Sequence, residues 1–185
     1  MVNANAQVLL GALLGVVIVQ RWAELRLARR NEARARGRGA QEFGARHYPL
    51  FFMLHGAWLV MWVTEALRGG PHLGGGWQLW LALFMAAEGL RYWAIASLGV
   101  RWNTRILVVP GDAPVARGPY RWLRHPNYVA VIVELAALPL VFGAWYTAAA
   151  IGLANLVLLL RLRIPTEMRA LQWAGSVAPR SPSTP

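Results

Sequence analysis

Cysteine is absent from the 185 residues, which excludes disulfides, thiolate catalysis and cysteine-bearing metal sites. Lysine is absent too, since all 19 basic residues are arginine, and acidic residues number only 8, leaving a formal net charge of +11. A lack of lysine that touches every part of the chain points to base composition as much as to the guanidinium's preference for phosphate and carboxylate. Charge is sparse overall, at 15% against 57% hydrophobic residues, and that balance excludes an ordinary soluble domain of this size. Four histidines, His47, His55, His72 and His125, are scattered with no pair at metal-ligand spacing, so no metal site is expected. Gly-x-Gly-x-x-Gly, the Walker loop and the serine elbow are all missing, which removes the usual nucleotide cradles and serine hydrolases. The start, MVNANAQ, has no positive region ahead of the first apolar run; a first membrane helix with its N-terminus outside is expected in place of a cleavable signal.

What the chain does have is a series of apolar runs separated by arginine-bearing segments. Val8 to Trp22 forms the first span, lengthened by the snorkelling of Arg21 and Arg26. Residues 23–47 carry a dense basic stretch, with eight arginines from Arg21 to Arg46, and are expected to be a solvated cytoplasmic loop or an anionic-lipid site. Tyr48 to Leu67, Trp77 to Leu98, Tyr128 to Phe142 and Thr147 to Leu162 are the further spans, the last two forming a tight C-terminal helical hairpin through residues 143–146. The arginine count of alternate loops predicts an all-α, polytopic integral membrane protein of about five transmembrane helices, N-terminus outside and C-terminus cytoplasmic. A single membrane domain over 1–175 and a disordered tail over 176–185 are expected. Because the arginines sit between apolar blocks and not on one soluble face, the expected neighbour is membrane lipid and not nucleic acid.

Charges inside spanning helices are costly, by about 2.5 to 3.5 kcal/mol each on insertion scales. Glu88, Arg91 and Tyr92 share one face of the third span; either an intrahelical pair shields itself there, or the group contacts substrate or cofactor. Glu134 falls on the same side as Asn127, which leaves it facing the preceding loop or bonded to Asn155 of the next helix. Glu65 and His55 carry less information. Pro165 lies where Arg161, Arg163 and Glu167 gather, so the last helix is expected to kink or restart, freeing a carbonyl for a ligand donor.

The segment GPYRWLRHPNY, Gly118 to Tyr128, crowds prolines, arginines, a histidine and aromatics where a plain connection would carry small turn residues. Together the ends of spans three, four and five predict a pocket for a polar cofactor entering from water and an oily substrate entering from the bilayer. On the residues alone, an enzyme and a carrier remain equally open.

With Glu134, Pro139, Leu140, Arg163, Ile164, Glu167, Ala170 and Leu171 following in order, that segment resembles the isoprenylcysteine carboxyl methyltransferase family, and more closely its small bacterial branch linked with alkylpyrone or alkylresorcinol methylation. The resemblance spans roughly residues 48–171. It implies a five-helix core in a bacterial inner membrane, binding S-adenosylmethionine at the cytoplasmic side, with a lipophilic small-molecule acceptor reaching the site from the bilayer. Carried over residue by residue, it assigns Gly118, Pro119, Tyr120, Arg124, His125, Pro126, Tyr128 and Glu167 to the cofactor site. Arg163 or Arg91 is then a candidate to hold an anionic acceptor or the cofactor's carboxylate, and His125, Glu134 and Arg91 are the candidate catalytic residues. Where the family has two adjacent acids this chain has Glu167 followed by Met168. Methylation of a phospholipid amine, or a non-catalytic lipid-binding protein keeping the same fold, are the alternatives.

Overall fold

The computed structural model describes residues 4–68 and 70–177. Helix α1 spans Ala4–Gly37, α2 Tyr48–Arg68, α3 Trp77–Leu98, α4 Pro126–Val141, α5 Trp145–Leu158 and α6 Ile164–Val177. The protein is an all-α polytopic membrane protein. Among the described residues, α1, α2, α3 and the continuous rod formed by α5 and α6 are long and apolar enough to cross a bilayer. The fifth expected span, α4, has only 16 residues, about 24 Å against a hydrocarbon core of roughly 30 Å. It tolerates this because it is the central helix: ten of those residues are buried, and it packs against α3, α5 and α2.

The first span does not stop at Trp22. Helix α1 runs on for 34 residues, about 51 Å, so most of the expected basic loop over 23–47 is helix. Arginine, alanine, glutamate and leucine favour helix, and Arg36 bonds Glu32 one turn away at 2.8 Å. The segment also has a buried face, but a polar one: Gln20, Glu24, Ala28 and Asn31 follow one another at helical spacing and are all buried. An apolar-period reading passes over such a stripe because it marks buried positions by hydrophobicity.

The rest of that segment forms β1, Gln41–Phe43, which pairs antiparallel with β2, Ile106–Val108, in the register Gln41 to Val108 and Phe43 to Ile106. This short ribbon lies outside the all-helical expectation. Its apolar face takes Ala170 and Ala174 of α6 against Ile106 and Val108, with Phe43 and Trp173 in tilted contact at 5.4 Å. Docking on the ribbon sets the position of α6.

The main core joins α2, α3 and α4 through Trp58, Trp62, Phe84, Leu135, Leu138 and Phe142. Pro139 lies within α4 and has no N–H for the carbonyl of Leu135; the Trp58 indole donates to that carbonyl at 3.0 Å in its place. The turn between α4 and α5 passes through Gly143 at φ 66°, giving the expected hairpin. Glu65 of α2 caps α5, accepting from the backbone N–H groups of Tyr146 and Thr147 at 3.0 and 2.8 Å. His55 meets the Phe51 carbonyl at 2.8 Å and serves packing.

The interruption expected at Pro165 takes the form of a wider turn just before it, after which α6 starts at Ile164. Residues Leu159–Arg163 form a π turn that leads straight into α6, with the Ile164 N–H reaching back to the Leu159 carbonyl. A wider turn accommodates the proline ring while the helix continues. Of the expected disordered tail, residues 176 and 177 belong to α6 and residues 178–185 lie outside the described residues.

Candidate functional site

The motif segment begins with a tight turn at Gly118–Arg121. Gly118 has φ +57°, and a Cβ there would stand 1.9 Å from the Ser97 Oγ of α3. Glycine is therefore required because the turn is pressed onto α3. Arg117 fastens the same contact by donating from Nε to the Ser97 carbonyl at 2.7 Å. With the turn anchored, the chain runs through His125 into α4, whose first residue, Pro126, needs no N–H partner.

His125 and Tyr128 stack with ring centroids 5.2 Å apart and 16° between planes. The Tyr128 hydroxyl donates to Glu167 of α6, and Arg163, the last residue of the π turn, donates from Nε to the same hydroxyl oxygen at 3.1 Å. Arg163 also donates from a terminal nitrogen to the Thr104 carbonyl at 2.8 Å, so its planar head is fixed. The Nδ1 atom of His125 lies 3.7 Å from the Glu167 carboxylate. Four residues distant in sequence are thus locked into one constellation, held by the α4 start, the π turn and the ribbon-docked α6.

This constellation forms one side of a cavity of about 610 Å³, within the roughly 300 to 1,000 Å³ of small-molecule sites. Tyr120 and Asn127 complete that side, β2 with Val109 and residues 112–115 form the next, and the end of α1 and the turn after it contribute Asn31, Arg34 and Arg38. Burial, with the Glu167 carboxylate added, pushes the Tyr120 phenol above its ordinary range; it remains a hydroxyl donor at neutral pH. Burial alone would raise Glu42 of β1, but hydrogen bonds from Arg105 and Arg36, each at 2.5 Å, hold its carboxyl below the usual value. The same bond raises Arg105, and its guanidinium lies 4.3 Å from the centre of the Tyr48 ring. The ribbon side of the cavity is therefore clamped by charge.

Of the residues singled out in the sequence, Tyr120, His125, Tyr128, Arg163 and Glu167 line the cavity. Gly118, Pro119 and Pro126 do not line it, and Arg124 is exposed and also off the lining. Met168 is 45% exposed and also off the wall.

Arg91 and Glu134 are elsewhere. Neither lines the cavity; both belong to a buried charge cluster between α1, α3 and α4. Arg91 grips Glu24 with two bonds of 2.7 Å and reaches Glu134 at 3.2 Å. Arg21 pairs with Glu24 at 2.8 Å and with Glu134, while Gln20 donates to Glu88. The Glu88 to Arg91 pair and the Glu134 to Asn155 bond, each one of two alternatives left by the sequence, are replaced by these partners, because α1 brings its polar stripe to this depth. Asn155 is fully buried with no hydrogen-bond partner for either side-chain atom.

Asn31, Trp102 and Ile106 belong to the cavity wall and escaped the sequence reading. The spacing of Asn31 from Gln20 and Glu24 carried a signal; the residues of β2 and the following loop carried none, being ordinary apolar and turn residues.

A family model described as the isoprenylcysteine carboxyl methyltransferase (ICMT) family matches residues 80–173. A Bacillus subtilis (strain 168) protein, Uncharacterized protein YpbQ, is 41% identical over 160 residues, covering 86% of this chain and 95% of that relative. An Uncharacterized protein of Haemophilus influenzae is 28% identical over 156 residues, covering 84% of this chain and 90% of the relative. No solved structure matches the chain.

Proposed function

The chain belongs to the isoprenylcysteine carboxyl methyltransferase family, and from that premise we propose that it transfers a methyl group from S-adenosylmethionine to a carboxylate or hydroxyl of a lipid-like acceptor. The observation that carries this reading is the convergence of His125, Tyr128, Arg163 and Glu167 on one cavity at the arginine-bearing end of a membrane bundle. That end faces the cytoplasm by the positive-inside rule, with the N-terminus outside and the C-terminus within, in a bacterial inner membrane.

The residues present fit the donor. Two buried carbonyl oxygens of the cavity-lining residues, Asn31 Oδ1 and Asn127 Oδ1, have no hydrogen-bond partner, and a ligand carrying N–H and O–H groups satisfies such acceptors. Glu167 offers a carboxylate to cationic groups of the donor. Arg163, with Nε and one terminal nitrogen already committed, keeps further N–H groups for a carboxylate. Bound S-adenosylmethionine supplies an activated methyl on a sulfonium. The protein's part is to align the acceptor oxygen in a water-poor pocket. A carboxylate acceptor needs no base, whereas a phenolic or enolic acceptor gives its proton to His125, whose imidazolium then lies beside Glu167.

Two observations weigh against the other readings. Five arginines, at 34, 38, 101, 105 and 163, line the cavity against Glu167 and Asp112, an unfavourable setting for the cationic headgroup of a phospholipid amine. Met168, standing where the family has its second acid, lies off the cavity wall, so its lack of charge does not argue for a lost activity.

The test is methyl transfer by protein purified into nanodiscs, using methyl-labelled S-adenosylmethionine and three acceptors: an isoprenyl carboxylate, a long-chain alkylresorcinol and phosphatidylethanolamine. Label is expected in one of the first two and not in the third, with His125→Ala abolishing transfer to a hydroxyl acceptor while remaining folded. Failure of every acceptor, together with no calorimetric binding of S-adenosylhomocysteine, sinks the proposal.

A further inference from the structure

Asn31 lies in the extension of α1, outside the family-matched residues 80–173. It is 1% exposed and borders the cavity. Its Nδ2 donates to the carbonyls of Gly99 at 3.1 Å and Trp102 at 2.8 Å, and two carbonyls on that nitrogen define which end of the amide is the oxygen. The Oδ1 atom has no partner. A buried acceptor left open is costly, and in a native fold it calls for a specific explanation.

The surroundings narrow the donor. Leu98, Val100, Trp102, Ile106 and Val108 give this part of the wall apolar surface for a flat ring, and Arg34, Arg101 and Arg105 among them make it unfavourable to a cation. The carboxylate that would meet a cation, Glu167, belongs to α6 on the other side of the site. A neutral amide oxygen beside these arginines selects a neutral N–H donor over a cation.

We propose that Asn31 Oδ1 accepts a hydrogen bond from the exocyclic amino group of a heteroaromatic ring, so that the extension of α1 is the base-reading wall of the ligand site. The inference rests on the methyl-donor reading above, in which that ring is the adenine of S-adenosylmethionine. It gives the first helix a role in ligand specificity besides membrane anchoring.

The test compares S-adenosylhomocysteine with its analogue carrying hydrogen in place of the 6-amino group, by calorimetry on the full chain in nanodiscs. The wild-type protein is expected to bind the amino compound about tenfold tighter, the effect of one neutral hydrogen bond in a dry site. Asn31→Leu is expected to bind both compounds equally, and Asn31→Gln, which keeps both the amide N–H donor and an acceptor oxygen, to retain the preference. Equal binding of both compounds by the wild-type protein overturns this inference and leaves the methyl-donor reading standing. A preference that survives in Asn31→Leu overturns the assignment to Asn31. Should Asn31→Leu fail to fold for want of its Gly99 and Trp102 bonds, the wild-type comparison and Asn31→Gln, which keeps an amide N–H for those carbonyls, still decide, since loss of the preference in a folded Asn31→Gln counts against the acceptor role. Binding of neither compound to the wild-type protein overturns the methyl-donor reading itself, and this inference with it.

Discussion

Replacing Trp58 by phenylalanine tests how α4 survives a proline in its apolar core. The indole is 1% exposed and its N–H reaches the Leu135 carbonyl, the group that Pro139 is unable to serve, at 3.0 Å. Phenylalanine keeps a ring in the site but strands that carbonyl. An unsatisfied buried acceptor costs about 1 to 3 kcal/mol, and the averages for membrane hydrogen bonds, about 0.6 kcal/mol, place the lower bound. Loss of indole packing adds to the single-mutant cost, so the informative quantity is a cycle with Pro139→Ala. Alanine restores an N–H at the right place, and in the Trp58→Phe background it should recover about 1 to 2 kcal/mol more than in the wild type. In a chain of this length each kcal/mol moves the melting midpoint by roughly 2 to 4 °C. Unfolding midpoints of the four proteins in mixed dodecylmaltoside and SDS micelles supply the measurement. Additivity within about 0.5 kcal/mol would show that the indole does not stand in for the missing helical bond, and the account of Pro139 would be wrong.

Arg91→Met should destabilise the bundle by about 3 to 5 kcal/mol, because it leaves two buried carboxylates, Glu24 and Glu134, to share the single guanidinium of Arg21; adding Glu24→Gln should return part of that loss in the same unfolding assay. Gly118→Ala should be destabilising on two counts, a Cβ placed 1.9 Å from the Ser97 Oγ and an alanine held at φ +57°. Pairing it with Ser97→Gly should relieve the collision and leave about 1 to 2 kcal/mol of backbone strain, readable as an incomplete recovery of the melting midpoint. Glu42 contributes through a carboxyl held below its ordinary value of 4.5. Its contribution is present above that value and is lost as pH falls through the lower folded value, so the stability gap between wild type and Glu42→Gln should be level above pH 4.5 and close on acidification. A gap that instead widens in acid would reverse the sign of the argument.

The apolar runs from Tyr48 to Leu67 and from Trp77 to Leu98 match α2 and α3 to within a residue, because lipid demands length and hydrophobicity and both are written locally. The hairpin at Gly143 was equally plain. Five of the residues assigned to the site, Tyr120, His125, Tyr128, Arg163 and Glu167, do meet at one cavity. Arg91 and Glu134 looked like site residues for a sound local reason, the cost of a charge in a membrane helix. Their actual neutralisation comes from Glu24 and Arg21, side chains on a helix far away in sequence whose buried stripe is polar and therefore silent to hydropathy.

The amino-acid order by itself determined the membrane class, the lengths of the middle spans and the motif that carries the family resemblance, since each is a property of contiguous residues. Tertiary structure alone decided that the polar stripe of α1 is buried, that β1 and β2 seat α6, and that Glu167 thereby reaches Tyr128 and His125. It also decided which polar residues pair with one another within the bundle and which line the cavity. The physical reason is that a buried charge or amide takes its meaning from the partner opposite it: Arg91 has found its carboxylates within the fold, and Asn31 Oδ1 has not found its donor.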